Sequence, residues 1–293
     1  MIETGFVKTR YLADTAWVAL RLEDPSLRIF DCTLLYTPSP ANPVRTHPVT
    51  EHWPLGHIPG AGFLDLKGEL TDLGSRWPLQ NTIPRPRQFS DVMGRHGVGP
   101  GTQVVLYSAQ HPMAAARVWW MLHAYGFDDA AILDGGWGKW VAEGRPVSTD
   151  DSRYPTANFE GHARPGAIAS KADVRAALDD PNVLLINALS QEQHVGGGVH
   201  FGRPGRIPGS RCVPALAMLN PRDGTLRPLP ELRQMFAAVG LRDGMRAITY
   251  CGNGIASSCA AFVLSMLGVR EVSVYGGSLA EWSNDPSLPL EFG

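Results

Sequence analysis

Ala247-Ile248-Thr249-Tyr250-Cys251-Gly252-Asn253-Gly254-Ile255-Ala256-Ser257 reads as a short strand, a loop with two glycines, and a helix starting near Ala256. A strand feeding a helix through so short a loop is the building unit of a parallel α/β sheet. The same reading puts the Cys251 thiol at a helix N-terminus, where unpaired N–H groups and the positive end of the dipole favour thiolate over thiol. Gly252 and Gly254 let the backbone curl around whatever the sulfur carries, and N–H groups converging in a tight loop form an anion-binding nest. The dipole contributes about 0.3–1 kcal/mol and one hydrogen bond to a charged group about 1.5–3 kcal/mol, so the aligned donors matter more. The competing reading is a buried structural cysteine after a strand.

Working outward, the surroundings of this stretch occur twice. Val104-Val105-Leu106-Tyr107-Ser108 answers Ala247–Cys251 at an offset of 143 residues, and Asp134-Gly135-Gly136 to Trp140 answers Gly276-Gly277-Ser278 to Trp282 at 142. Gly56-His57-Ile58-Pro59-Gly60-Ala61 answers Gly205-Arg206-Ile207-Pro208-Gly209-Ser210 at 149, and the helical pattern Phe89–Val98 answers Leu232–Leu241. Four ordered matches at nearly one offset predict two similar domains in tandem. Short Val/Ile/Leu runs alternating with helix-length segments give each half a parallel sheet with helices on both faces, an α/β fold. Arg145–Ala169, rich in Pro, Gly, Ser, Thr and Asp, reads as the connection, with domains over 1–146 and 170–293 and a linker over 147–169. Tyr36–Pro54 lengthens the first repeat where the second has only Gln191–Gly205; it is either a roof over the other domain's site or an idle surface insertion.

Composition agrees. At 293 residues the chain exceeds the usual single-core size, and 44% apolar content, 18% charged content and a net charge of −2 describe an ordinary globular protein. No basic excess points to nucleic acid or an anionic membrane surface. Glu3, Lys8, Arg10 and Asp14 break up any signal-peptide hydrophobic region, so the expected location is cytoplasmic. Cys32, Cys212, Cys251 and Cys259 contain no CxxC pair, which argues against a zinc site or a disulfide framework.

With those residues in view, the chain resembles the two-domain rhodaneses, the sulfurtransferase family of thiosulfate and 3-mercaptopyruvate sulfurtransferases, over essentially its whole length. The likeness is carried by the HIPGA-like turn in both halves, Arg117-Val118-Trp119-Trp120 with Leu133-Asp134-Gly135-Gly136, and the CGxG loop with Gly277-Ser278 and Glu281-Trp282. It implies two tandem rhodanese-like domains, the first structural and the second catalytic. Ser108 standing for Cys251, followed by Ala109-Gln110-His111-Pro112 without glycines, fits that division. It further implies a double displacement: Cys251 thiolate takes a sulfur from a small-molecule donor, becomes a persulfide steadied by N–H groups from Gly252, Asn253, Gly254, Ile255 and Ala256, and hands it to a thiol or cyanide-type acceptor. No metal or organic cofactor is required, and a thioredoxin-like or other protein is a further candidate acceptor.

The departures from the family concern the substrate. The loop lacks the basic residues of thiosulfate enzymes, and Gly252 resembles the mercaptopyruvate type. Asn253 and Ala256 stand where that type has Ser and Thr, and Thr46 stands near the position of an Asp upstream of the histidine matching His57. Where the family has Asp-x-Arg and a further Arg, this chain has Asn187-Ala188-Leu189 and Gln193. Arg203 and Arg206 are candidates for the missing charge, and His57, Gln193, His194 and His200 for contacts with substrate.

Two rival chemistries fit poorly. A dinucleotide fingerprint lacks its third glycine at Ser257 and its later acidic residue, and a Cys-x5-Arg phosphatase loop has Ser257 where the arginine must clamp phosphate. A sulfur-relay or binding module, loaded at Cys251 by a protein partner without turnover of a small donor, remains the alternative.

Overall fold

The computed structural model describes residues 11–36, 46–48, 56–72, 74–75, 79 and 81–293. The first half holds strands β1 (Leu12–Ala13), β2 (Leu27–Asp31), β3 (Leu34–Tyr36), β4 (Thr46–Pro48), β5 (Gly62–Phe63), β6 (Gln103–Tyr107) and β7 (Ala130–Leu133). Five of them form a wholly parallel sheet in the order β1-β7-β6-β2-β5. The second half holds β8 (Ile168–Ala169), β9 (Val183–Asn187), β10 (Arg211–Cys212), β11 (Arg246–Tyr250) and β12 (Val272–Tyr275), also parallel, in the order β8-β12-β11-β9-β10. Strand for strand the two sheets are the same.

Both faces of each sheet are covered, which is why these strands read as continuous apolar runs. In the first sheet Phe30, Val104 and Leu106 face helices α2 (Pro86–Arg95) and α3 (Met113–Ala124). Ile29, Val105 and Tyr107 face the other way, toward α1 (Thr15–Ala19) and α4 (Gly136–Ala142). The second sheet repeats this with α5 (Lys171–Ala177), α6 (Gln191–His194), α7 (Leu229–Ala238), α8 (Ile255–Met266) and α9 (Ser278–Trp282). The matched turns share their hydrogen bonds: Ile58 N–H donates to Tyr107 Oη, and Ile207 N–H to Tyr250 Oη. The matched tryptophans do too, Trp140 donating to Pro146 O and Trp282 to Pro289 O.

The domains meet through α3 and α8, which share one apolar cluster. Ala114, Ala115 and Ala116 on one helix and Ala260 and Ala261 on the other leave room for close approach, and Trp119 meets Phe262 edge-on at 4.8 Å. Burying such side chains stabilises by about 1.5–3 kcal/mol each, so this junction is a core rather than a hinge.

The segment after Arg145 lies along the first domain. Tyr154 Oη accepts the Ile29 N–H at 2.8 Å, and Ala157 N–H donates to Gly94 O at 2.9 Å. No strand was expected between Arg145 and Ala169, yet its last two residues form β8, because the edge of β12 supplies hydrogen-bond partners to a piece too short to show periodicity. The segment Tyr36–Pro54, read as either a roof or an idle insertion, lies outside the described residues, apart from the antiparallel pairing of β3 with β4. Among the described residues no helix is long and apolar enough to cross a membrane.

Candidate active site

β11 delivers Cys251 to the end of the central strand of the second sheet, and α8 begins at Ile255, one residue before the expected start. The loop between them is fixed from below by α9. Cys251 N–H donates to Ser278 Oγ at 3.1 Å, Leu279 N–H to Cys251 O at 3.0 Å, and Ala280 N–H to Gly252 O at 2.8 Å. The loop turns a further N–H inward: Gly254 donates to Cys251 Sγ at 3.1 Å. Gly254 is left-handed, with φ of 90°, and a Cβ there would meet Arg117 Nη1 at 2.9 Å. Only glycine fits both constraints.

Ser278 is also left-handed, with φ of 49°, where the first domain has Gly136 at 54°. Its hydroxyl donates to Tyr275 O at 2.7 Å while receiving the Cys251 N–H. The loop therefore retains a strained serine where glycine would be relaxed, because the hydroxyl ties three backbone segments together.

The four thiols are not equivalent. Burial pushes Cys212 up to about 11 and Cys259 up to about 12, and pushes Cys32 well above its ordinary range with the Asp31 carboxylate adding to it. Cys251 alone meets a helix N-terminus and a convergent N–H donor. The first domain adds Arg117, whose guanidinium crosses the boundary and donates to Gly254 O at 3.3 Å.

Cys251 is 1% exposed, and the Phe201 ring lies directly on Gly252: a Cβ there would fall 1.8 Å from Phe201 Cζ. Beside this ring opens a cavity of about 340 Å³ between the domains. Ser108, Gln110, His111 and Met113 line it from the first domain, and Leu189, Gln193, Phe201, Ile255 and Ala256 from the second. No Lys, Arg, Asp or Glu is among its described lining residues.

Of the residues singled out in the sequence, the structure brings Gln193, Ile255 and Ala256 to this cavity and keeps Cys251, Gly252, Asn253 and Gly254 buried beside it. His57 is enclosed in the first domain, its backbone paired with Ser148. His194, the last residue of α6, is buried, and Asn187 Nδ2 meets its Nδ1 at 3.2 Å; burial, then Arg206, lowers it to about 4. Arg203 donates to Ser283 O, Asp285 O and Leu288 O, and Arg206 to Glu291 Oε1 and Gly293 O. Both arginines bind the C-terminal segment, so neither replaces the missing charge, and His200 does not line the cavity either. Arg117 and Phe201 were not singled out as site residues. A lone arginine amid the apolar run Met113–Ala124 was a signal that could have found the first, whereas nothing local marks Phe201.

Tandem parallel domains of this order, with a cysteine receiving a backbone N–H at one of two matched strand ends, define a two-domain sulfurtransferase. The rhodanese-like domain model matches residues 14–143 and again 170–285, and the chain belongs to the rhodanese family. It is 31% identical over 285 residues to a probable 3-mercaptopyruvate sulfurtransferase of Pseudomonas aeruginosa, covering 94% of this chain and 96% of the other. To the sulfur carrier protein TtuD of Thermus thermophilus it is 30% identical over 305 residues, covering 99% of each. The crystal structure of the 3-mercaptopyruvate sulfurtransferase SseA from Escherichia coli superimposes with a TM-score of 0.78 at 28% identity, covering 92% of this chain and 98% of that one.

Proposed function

We propose that the protein transfers a sulfane sulfur through a persulfide on Cys251, and that its donor is 3-mercaptopyruvate in preference to thiosulfate. The observation that carries this is the Cys251 sulfur, held by the Gly254 N–H at a helix N-terminus, beside an interdomain cavity whose described lining bears no fixed charge. Cys251 thiolate attacks the donor's thiol sulfur, the carbon–sulfur bond breaks, and the pyruvate enolate leaves and takes up the proton released from that thiol. An acceptor thiolate or cyanide then attacks the outer sulfur and regenerates the Cys251 thiolate. Gly252, Asn253, Gly254, Ile255 and Ala256 supply the N–H groups around the anionic sulfur.

Donor preference follows from charge. Two unit charges 4 Å apart repel by about 4 kcal/mol at an effective dielectric of 20, so a dianion brought up to a thiolate needs a cation. Mercaptopyruvate carries one carboxylate, at its far end, and the likeness of this chain to 3-mercaptopyruvate sulfurtransferases supports the same choice. Steady-state kinetics with each donor against a common acceptor test the reading: kcat/KM should be higher for mercaptopyruvate. Leu189→Arg, which adds a cation to the cavity wall, should improve thiosulfate use relative to it. Thiosulfate preferred by the unmodified protein would defeat the donor assignment.

The covering of Gly252 by Phe201 and the likeness to a sulfur carrier favour a second reading, loading by a thioredoxin-like or other protein partner. Failure of both small donors, with loading from a protein persulfide, would select it.

A further inference from the structure

Helix α3 buries Ala114 to Leu122 with a single charged side chain among them, Arg117, which is 0% exposed. Its Nη2 donates to Asn81 O at 2.6 Å, and its Nη1 to Gly254 O at 3.3 Å and Ser258 Oγ at 3.4 Å. All of these acceptors are neutral, and among the described residues no carboxylate pairs with it. An isolated buried cation is costly unless an anion is close, and proteins retain one where the anion has a use.

The charged and titratable groups around it narrow the choice. Tyr125, on the C-terminal end of α3, donates its hydroxyl to Pro84 O and is pushed up to about 12, so it is neutral. Asp72 acts on Tyr125 and sits 3.9 Å from Arg85. Glu281, on α9, accepts from the Tyr275 hydroxyl at 2.8 Å. From β11, α8 and the loop between them the titratable groups are Arg246, paired with Glu271 at 3.3 Å, Tyr250, bound to Ser210, Cys259, kept protonated by burial, and Cys251, in the loop that Arg117 contacts. One residue couples these two, since Gly254 gives its N–H to the Cys251 sulfur and its carbonyl to Arg117.

We propose that Arg117 is a positioning residue from the first domain that serves as the buried counter-ion of the Cys251 thiolate and persulfide, and that holds Gly254 with its N–H on the sulfur. The proposal rests on Cys251 being the sulfur carrier. It makes the domain that has Ser108 in place of Cys251 an electrostatic part of the site, supplying from behind the loop a cation that the loop itself lacks. Arg117 does not line the cavity, so it acts on the nucleophile from behind the loop and makes no direct contact with a donor there.

The test uses the full chain with Arg117→Met, Arg117→Gln and Arg117→Lys. It follows iodoacetamide alkylation of Cys251 against pH by peptide mass, without a sulfur donor, and kcat/KM against pH. Arg117→Met keeps a side chain of similar length among the apolar neighbours of α3, so it should keep a cooperative thermal transition. Both neutral variants should move the alkylation midpoint up by about one pH unit or more, with rates recovering above it, and Arg117→Lys should stay near the unmodified protein. The kcat/KM profile should move with it. A folded neutral variant whose midpoint does not move overturns the proposal, as does Arg117→Lys displaced as far as the neutral variants. If neither neutral variant folds, the lysine midpoint decides in the same sense. Preferential alkylation of another cysteine in the unmodified protein would instead defeat the Cys251 assignment beneath it.

Discussion

Ser278 shows how far single residues set this site. A side chain in the left-handed region costs about 1–2 kcal/mol, and here the cost is offset by the hydrogen bonds to Cys251 N–H and Tyr275 O. Ser278→Ala keeps the strain and leaves the buried N–H without a partner, so denaturant unfolding should show a loss of about 1–3 kcal/mol. Ser278→Gly relieves the strain and should lose less, while both slow sulfur transfer. At this scale the sequence was legible where chemistry is local: Cys251, Gly252 and Gly254 declare themselves within four positions. Arg117 reaches Gly254 across 137 residues, and Arg203 and Arg206 are taken up by a C-terminal segment that no spacing connects to them.

Among the elements, the stretch between α6 and β10 does two separate things. It presses Phe201 onto Gly252, and a methyl group on Gly252 would meet that ring, so Gly252→Ala must displace it. We expect Gly252→Ala to impair transfer in the unmodified background and less so alongside Phe201→Ala, which by itself should speed alkylation of the covered sulfur. A double-mutant cycle with no coupling between the two would show that the contact is idle. The same stretch begins at α6, whose His194 is held neutral, at about 4 against an ordinary 6.5, by burial and by Arg206. Its folded value lies below its unfolded one, so its stabilising contribution is complete above about 6.5 and is lost as pH falls toward 4. His194→Gln should therefore lose less thermal stability than the unmodified protein over that window. Strands β6 and β11 and helices α2, α7 and α8 were legible from pattern. The two-residue edge strands were not, because only their neighbours' unpaired edges specify them.

For the whole molecule, duplication explains the architecture and asymmetry explains the function. The halves keep matched strands, turns and tryptophans, and the repeat visible in the sequence is sufficient to give that fold. They differ at Ser108 against Cys251 and at Gly136 against Ser278, so one half keeps a thiol where the other has a hydroxyl, and the other contributes a cavity wall and Arg117. That the first half does more than support the second was not legible, since it depends on how α3 and α8 pack. The central claim is that Cys251 carries the sulfur. Intact and peptide mass spectra of protein exposed to mercaptopyruvate without acceptor test it most directly. The account predicts one added sulfur atom, on the peptide containing Cys251, retained in Cys32→Ser, Cys212→Ser and Cys259→Ser and absent from Cys251→Ser. Sulfur found on any other cysteine, or added sulfur that survives Cys251→Ser, would contradict it.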